Sequence, residues 1–330
     1  MRKSIISALI AGLSLTGIVQ AADLTIYSGR GESFVAPLVQ QFEQNTGLKV
    51  TVRYGDTAQL ASLILEEGQR SPADIYWGQD AGAMGSLAYA GVLAELPESL
   101  FTDIPEIFSS QNRQWVATSG RSRVLVHSTE RVDQSEMPSS VFDLTDEKYK
   151  GRVGWAPTNG GFQAFVTAMR VTHGEETTEQ WLRDMAANQP VVFRNNTTIV
   201  EGVGNGDADF GLVNNYYLPR FIARNADFPA RQTFFANGDI GNLLNVAGVG
   251  ILERSNNQEA ALKFVEFLVS PAAQQYFTSV VNEHPISNQV IANPVLGNTD
   301  TLLGASPEVN LDDLYDLPGT LELLRKVGLI

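Results

Sequence analysis

The sequence contains no cysteine and only three histidines, His127, His173 and His284. The lack of cysteine excludes disulfides, thiolate metal sites and cysteine nucleophiles. No two histidines have the spacing of a zinc-binding pair, so any metal ion must be held by oxygen ligands. We find no Gly-x-Ser-x-Gly segment and no histidine placed to serve a nucleophile, which argues against a secreted hydrolase. Nothing in these patterns predicts catalysis, and we do not expect an enzyme.

Basic residues are also scarce. The 23 lysines and arginines stand against 37 acidic residues, which gives a net charge of −14 and makes nucleic acid a poor partner. After the first 21 residues, no apolar run is long enough to span a bilayer. The length of 330 residues and the 43% hydrophobic content indicate a globular protein of about two domains.

Residues 1–21 have the pattern of a secretory signal peptide. Arg2 and Lys3 precede an apolar stretch from Ile5 to Val19, and Val19-Gln20-Ala21 has the form of a cleavage site. Small polar residues and glycines interrupt the stretch, which favours cleavage after Ala21 over a retained membrane anchor. We therefore expect an exported protein.

Strand and helix patterns alternate along the rest of the chain. Residues 24–27, 48–54 and 73–77 read as strands with helical patterns between them, so they should form a parallel sheet covered by helices. No linker or internal repeat divides the alternation, and we predict two discontinuous α/β lobes with a ligand cleft between them. Further predicted strands lie at 123–127, 152–155, 191–193, 208–213 and 246–251, and helices at 260–268, 271–277 and 320–326.

Seven segments occur in the order found in one known family. They are LTIYSGR (24–30), FEQNTGLKV (42–50), SPAD (71–74), SGRSR (119–123), GRVG (151–154), NGDAD (205–209) and NNYY (214–217). Through them the chain resembles the periplasmic ferric-ion-binding proteins of bacterial iron ABC transporters, whose signature iron ligands are the two tyrosines of the last segment.

The resemblance implies a fold, a cellular location and a function. The fold is a bilobal, type II-like periplasmic binding protein, with residues 22–120 and 248–305 in lobe 1 and residues 121–247 and 306–330 in lobe 2. The implied protein is a periplasmic monomer that captures Fe(III) and delivers it to an inner-membrane ABC permease.

Tyr216 and Tyr217 are the candidate metal ligands. Ferric ion prefers anionic oxygen, which a phenol supplies once the metal displaces a proton whose usual pKa is near 10. The pair follows a predicted strand, where α/β folds collect ligand groups, and Pro219 favours a helix start from which both side chains could reach one ion. The alternative is two half-buried tyrosines with hydroxyls bonded to water.

Two phenolates do not fill an octahedron, and the chain departs from parts of the family at the remaining positions. Gly31 stands where some members have a histidine, Gln79 where they have a glutamate, and Phe162 where others have a third tyrosine. The resemblance then implies a two-tyrosine site that needs a synergistic anion, either carbonate, phosphate or citrate. Glu32, Gln79 and Asp80 are the further candidate ligands.

The candidate anion-binding residues combine guanidinium groups, a glycine-rich turn that opens a helix, and amide side chains. Arg30 follows a Ser-Gly turn at a helix N-terminus, which favours an anion; an ion pair with Glu32 or Asp74 is the alternative. Because Arg121 and Arg123 alternate along a strand, we expect only one of them to face the cleft. The set is Arg30, Arg121, Asn159, Gly160, Gly161, Asn196 and Asn214.

Each of the other anion candidates has a structural alternative. Family resemblance favours Arg121 near the anion, but a structural ion pair is as plausible. The turn at Asn159 could be only a turn, and Asn196 and Asn214 could be a turn residue and a strand-end cap. An alternative function is the binding of an organic anion such as a phosphonate, without iron, by Arg30, the Asn159 turn and the tyrosines.

Overall fold

A mixed β-sheet runs through the computed structural model, which describes residues 24–287 and 289–330. The predicted signal peptide lies outside these residues. The main path of the sheet has the order β2-β1-β3-β9-β4-β7-β5-β6, and β8 pairs with β4. The strands are β1 Leu24–Ser28, β2 Val50–Tyr54, β3 Ile75–Gly78, β4 Val116–Ser128, β5 Val153–Trp155, β6 Val191–Val192, β7 Phe210–Asn214, β8 Ala230–Thr233 and β9 Leu244–Ile251.

Helices cover both faces of this sheet. The first one buries Val35, Leu38, Val39 and Phe42 and ends at Gly47, whose φ of 74° suits glycine. The helices are α1 Glu32–Thr46, α2 Thr57–Glu67, α3 Ala81–Tyr89, α4 Gly160–His173, α5 Glu175–Ala187, α6 Asn196–Asn205, α7 Leu218–Ile222, α8 Gln258–Val269, α9 Pro271–Tyr276, α10 Thr299–Ala305 and α11 Leu317–Lys326.

The sheet is parallel only in part. Strands β1, β2 and β3 pair in parallel as predicted, but β9 runs antiparallel to both β3 and β4. The reason is that β4 and β9 carry the chain out of a first lobe, built around β1–β3, and back from a second lobe, built around β5–β8. The 13-residue β4 pairs with β9 in its first part and with β7 and β8 in its second part.

The end of the chain contacts both lobes. Residues 311–315 pack on α3 so closely that a Cβ atom at Gly82 or Gly85 would lie 2.7 Å from a carbonyl oxygen of that segment. The following helix α11 packs on α4, where Thr320 and Thr167 share a hydrogen bond of 2.7 Å. In the part of the chain that the structure describes, no helix is long and apolar enough to cross a membrane.

Candidate functional site

A cavity of about 420 Å³ lies between the two lobes at the carboxyl ends of β1, β3 and β7. All twelve residues predicted from the sequence line it, so the fold brings together groups up to 187 positions apart in the chain. The ligand that these residues bind is a prediction. The lining residues are Gly29, Arg30, Gly31, Glu32, Tyr54, Gly55, Asp56, Thr57, Gln79, Asp80, Arg121, Asn159, Gly160, Gly161, Asn196, Asn214, Tyr216 and Tyr217.

The turn after β7 is fixed by Asn215, which is 1% exposed. Its backbone N–H donates to Ser122 O at 2.9 Å, and its side-chain Oδ1 accepts from Ser122 N–H at 3.2 Å. The amide therefore continues the pairing with β4 after β7 has ended. This attachment, with Pro219 in the first turn of α7, directs the next two side chains into the cavity.

Tyr216 and Tyr217 lie side by side in the cavity wall. Their ring centroids are 4.4 Å apart, and Tyr216 Oη donates to Tyr217 Oη at 3.2 Å. The Arg220 guanidinium lies 5.4 and 5.5 Å from the two ring centroids. Burial, together with the neighbouring Tyr216 phenol, raises the pKa of Tyr217 well above its ordinary value, and Arg220 partly offsets this rise. Tyr217 is therefore protonated at neutral pH until something displaces its proton.

A hydrogen-bonded network of amide and guanidinium groups lies beside the tyrosines. Asn159 caps α4 by accepting from Gly161 N–H at 3.0 Å, and it also accepts from Asn196 Nδ2 at 3.0 Å. Arg123 Nη1 donates to Asn196 Oδ1 at 3.3 Å and to Asn214 Oδ1 at 3.2 Å. Asn196 is thus held at both ends of its side-chain amide, and Asn214 is held at its Oδ1.

Of the two β4 arginines, only Arg121 lines the cavity. Residues two apart on a strand lie on the same face, so alternation along the strand is not the reason. Arg121 lines the cavity and donates to the carbonyl oxygen of Gln79, whereas Arg123 lies behind the cavity wall above the Phe165 ring. Desolvation lowers the pKa of Arg123 to about 10, although the two tyrosines act in the opposite direction.

Arg30 pairs with neither of the carboxylates predicted as alternatives. Its two terminal nitrogens donate to the two oxygens of Glu283 at 3.1 and 2.8 Å, and both residues are 3% exposed. Asp74 instead accepts hydrogen bonds from Thr25 N–H and from the Ser255 hydroxyl. Burial alone would raise the pKa of Glu283, but Arg30, Arg121 and the Ser119 hydroxyl together lower it.

The acidic groups of the cavity wall come from the first lobe. Asp80 caps α3 by accepting from Ala83 N–H at 3.0 Å, and desolvation raises its pKa. Burial and the nearby Glu32 raise the pKa of Tyr54. Among the described residues, no three His, Cys, Asp or Glu side chains are grouped as a metal site.

A family model for bacterial extracellular solute-binding proteins matches residues 37–303. The chain belongs to this family. The major ferric iron-binding protein of Neisseria meningitidis serogroup A is 31% identical over the whole of both chains. The Fe(3+)-binding periplasmic protein of Serratia marcescens is 27% identical, covering 93% of this chain and 90% of that protein. These relatives are named as binding proteins, which confirms the prediction of a solute-binding protein and not an enzyme.

Solved structures of this family have the same two-lobe fold. Iron-bound HitA from Pseudomonas aeruginosa superimposes with a TM-score of 0.84 at 33% identity, covering 93% of this chain and 99% of that one. Trichodesmium IdiA (FutA), solved in complex with iron and citrate, gives a TM-score of 0.81 at 28% identity over 94% and 100% of the two chains. The predicted bilobal α/β fold and the resemblance to ferric-ion-binding proteins are thus confirmed.

Sequence reasoning missed several residues of this solute-binding site. Asp56 and Tyr54 line the cavity, although neither is among the residues predicted from the sequence. Arg220 lies one helical turn after the tyrosines, a spacing that could have indicated contact with them. No sequence signal indicates Glu283, because it lies 253 positions from Arg30.

Proposed function

We propose that this chain is a periplasmic binding protein that captures Fe(III) together with a synergistic anion and delivers it to an inner-membrane ABC permease. The observation that carries the proposal is the convergence of the Tyr216 and Tyr217 hydroxyls in a cavity between two lobes. The names of the Neisseria and Serratia relatives, both of which bind ferric iron, support it.

The geometry of the tyrosine pair fits one small cation. Two ligands about 2.0–2.1 Å from an octahedral ion lie roughly 2.9 Å apart when they are at right angles. The two phenol oxygens are 3.2 Å apart, so a shift of a few tenths of an ångström would bring both onto one ion. Ferric ion would displace the phenol protons, and Glu32, Gln79 and Asp80 are the side chains available from the opposite wall.

The proposal of a bound anion is supported by hydrogen-bond donors that have no acceptor. Within the described residues, Arg121 Nη1 and Arg123 Nη2 are buried without a hydrogen-bond partner. The N-terminus of α4 at Gly160 and Gly161 adds backbone N–H groups and the positive end of a helix dipole. Carbonate, phosphate and citrate each present oxygens to such donors, and the Trichodesmium structure contains citrate with iron.

Closure of the lobes would complete the site. We infer lobes of residues 22–120 with 248–305 and of residues 121–247 with 306–330, since β4 and β9 connect the two parts of the sheet. Contacts across the cleft include a hydrogen bond from Arg121 to Gln79 O and the Arg220 guanidinium, which lies 5.6 Å from the Phe34 ring centroid. Ligand contacts from both sides would stabilise the closed state, and a permease that favours the open state would release the iron.

The test is a visible absorption spectrum of metal-stripped protein mixed with ferric citrate in bicarbonate buffer. We expect a tyrosinate-to-iron charge-transfer band that disappears in the Tyr216→Phe, Tyr217→Phe double variant. A matched control is the double Phe variant of Tyr89 and Tyr315, a second stacked tyrosine pair with centroids 4.8 Å apart at the surface. Wild-type iron affinity in the Tyr216, Tyr217 variant would overturn the proposal.

A second candidate is the binding of an organic anion such as a phosphonate without iron. The unpartnered nitrogens of Arg121 and Arg123 favour it, because they attract an anion whether or not a metal is present. In metal-free buffer a phosphonate at large excess over its dissociation constant should then raise the melting temperature. No shift with phosphonates, together with an iron-dependent band, would reject this candidate.

A further inference from the structure

A segment near the end of the chain joins the two lobes in addition to β4 and β9. We call residues 305–320 the C-terminal strap. It begins on the second lobe, where Ala305 O accepts from Gly238 N–H and from Asn242 Nδ2, each at 3.0 Å. The strap then passes over α3 of the first lobe and returns to α4 of the second lobe. The first lobe is therefore held to the second by this strap as well as by the sheet.

The middle of the strap is hydrogen-bonded to the first lobe. The Asp312 carboxylate accepts from the indole N–H of the buried Trp115 at 2.7 Å and from Gln111 N–H at 2.9 Å. Farther along, the Ser86 hydroxyl of α3 donates to Tyr315 O at 3.0 Å. These bonds attach residues 312–315 to the first lobe at two places.

Two glycines of α3 let the strap approach the helix backbone. A Cβ atom at Gly82 would lie 2.7 Å from Leu314 O, and one at Gly85 would lie 2.7 Å from Asp312 O. A carbonyl oxygen of the backbone does not tolerate a carbon atom that close, so a larger residue at either position must displace the strap. The fit of the strap on the first lobe is therefore specific to glycine.

The return of the strap to the second lobe depends on Arg170 of α4. Its Nη1 donates to Asp316 O at 3.1 Å and to Thr320 Oγ1 at 2.9 Å, and its Nη2 donates to Asp316 Oδ2 at 2.9 Å. Thr167 of the same helix shares a hydrogen bond of 2.7 Å with Thr320. Tyr315, bonded to the first lobe, directly precedes Asp316, bonded to the second. The strap thus has no slack where it crosses between the lobes.

The strap lies away from the groups predicted to bind the ligand. None of its residues is among the described residues that line the first cavity. Several of them line a second cavity of about 630 Å³, which adjoins the first because some residues line both. The shared residues are Asp56, Thr57, Asp80 and Gly160. The strap can therefore influence ligand binding only through the relative placement of the two lobes.

We propose that the C-terminal strap restricts the two lobes to a single hinge rotation, and that Arg170 is a positioning residue for ligand capture. This inference rests on the lobe closure of the proposed function. Two rigid bodies joined at two separate places can rotate only about the line through those places, which here are the β4–β9 crossing and the strap. Without the strap the lobes would also twist, and more open arrangements would compete with the closed one.

The experiment measures the distance between the lobes in metal-free protein by pulsed electron paramagnetic resonance of spin-label pairs. Because the chain contains no cysteine, Ser33→Cys on α1 and Arg224→Cys after α7 introduce the only labelling sites. Both positions are exposed. They lie next to Phe34 and one helical turn after Arg220, the two residues in contact across the cleft.

Two variants loosen the strap from opposite sides, and each has a matched control. Arg170→Gln removes the anchor on the second lobe. Its control is Arg152→Gln, which also removes an arginine paired with two carboxylates, but with both partners in the second lobe. Gly85→Ala displaces the strap from the first lobe. Its control is Gly304→Ala, also in a helix, where the added Cβ would have no atom within 4 Å.

We expect Arg170→Gln and Gly85→Ala to broaden the distribution of label-to-label distances, and both controls to leave it unchanged. The two strap variants should also weaken Fe(III) binding in bicarbonate buffer about three- to tenfold, because a smaller fraction of the protein is competent to close. The wavelength of the tyrosinate-to-iron band should not change, since the strap does not contact the ligands.

Two results would overturn the inference. One is a distance distribution as narrow as that of the wild-type protein in both strap variants, and the other is equal broadening in the controls. Absence of an iron-dependent band in the wild-type protein would instead reject the proposed function. The distances in metal-free protein would still test the strap in that case, so the two failures are distinguishable.

Discussion

At the scale of single residues, the proposed iron site depends on the protonation of Tyr217. Burial raises the pKa of Tyr217, so in the absence of metal the proton is retained. A phenolate ligand would have to lose that proton, so the proposed iron binding should release protons and become tighter as the pH rises. Arg220, above both rings, and Arg121 partly offset this rise in the pKa of Tyr217.

Replacing Arg220 by alanine should weaken iron binding and move the appearance of the charge-transfer band to higher pH. A cation beside an aromatic ring contributes about 0.5–2 kcal/mol, so we expect up to roughly a thirtyfold loss in affinity. A pH titration of the band in bicarbonate buffer measures the shift. Arg224→Ala, at an exposed position four residues later, is the control, and an unchanged pH midpoint in the Arg220 variant would contradict the assignment.

At the scale of elements, distant segments hold the cavity wall in place. The turn after β1 carries Arg30, and the segment after α9 carries Glu283 and His284, whose backbone pairs with Gly120 of β4. The Arg30–Glu283 pair therefore attaches the cavity wall to the strand that crosses between the lobes. A buried pair of this kind is costly to break, since removing one partner leaves an uncompensated charge.

Glu283→Ala should lower the free energy of unfolding by about 3–5 kcal/mol, because it leaves Arg30 buried without a counter-ion. Urea denaturation at pH 7 measures this loss. The double variant Arg30→Met, Glu283→Leu removes both charges and should recover most of the stability. Because the folded-state pKa of Glu283 is lowered, its contribution is complete above the ordinary carboxyl pKa and is lost as the pH falls through the lower folded value.

At the scale of the whole molecule, an acidic chain encloses a cleft that contains several arginines. The net charge is −14, yet Arg30, Arg121 and Arg220 lie in or above the cavity and Arg123 lies behind it. Stability as a function of pH also depends on a histidine outside the cavity lining. His284 is fully buried, and desolvation lowers its pKa from 6.5 to about 4.

Acid should destabilise the protein through His284. The unfolded chain binds this proton near pH 6.5 and the folded chain only near pH 4, so stability is lost as the pH falls between these values. For this residue we expect a loss of about 2 kcal/mol between pH 7 and pH 5. The slope of the unfolding free energy against pH should become flatter in His284→Gln. It should not change in the control His173→Gln, because that histidine is exposed. Equal slopes in the wild-type protein and both variants would show that His284 does not titrate on unfolding.

Most of the fold and the list of predicted site residues could be obtained from the sequence, because hydrophobic periodicity and short motifs involve residues that are close together in the chain. Hydrophobic periodicity indicated eight of the described strands, and β8 was missed because Arg231 and Gln232 in Ala230–Thr233 interrupt its apolar pattern. The direction of β9 was not predictable, since it depends on how the chain returns between lobes. The site residues were found from collinear motifs, but their partners were not.

The amino-acid sequence alone excludes cysteine ligands, indicates that strands alternate with helices, and places Tyr216 and Tyr217 together after a strand. Only the tertiary structure decided that Arg30 pairs with Glu283, that Arg123 supports two asparagines, and that a second cavity adjoins the first. The difference lies in the sequence separation over which the interactions act. Periodicity and turn chemistry act over a few residues, whereas the charge balance and shape of the cleft arise from segments that meet only when the lobes are folded.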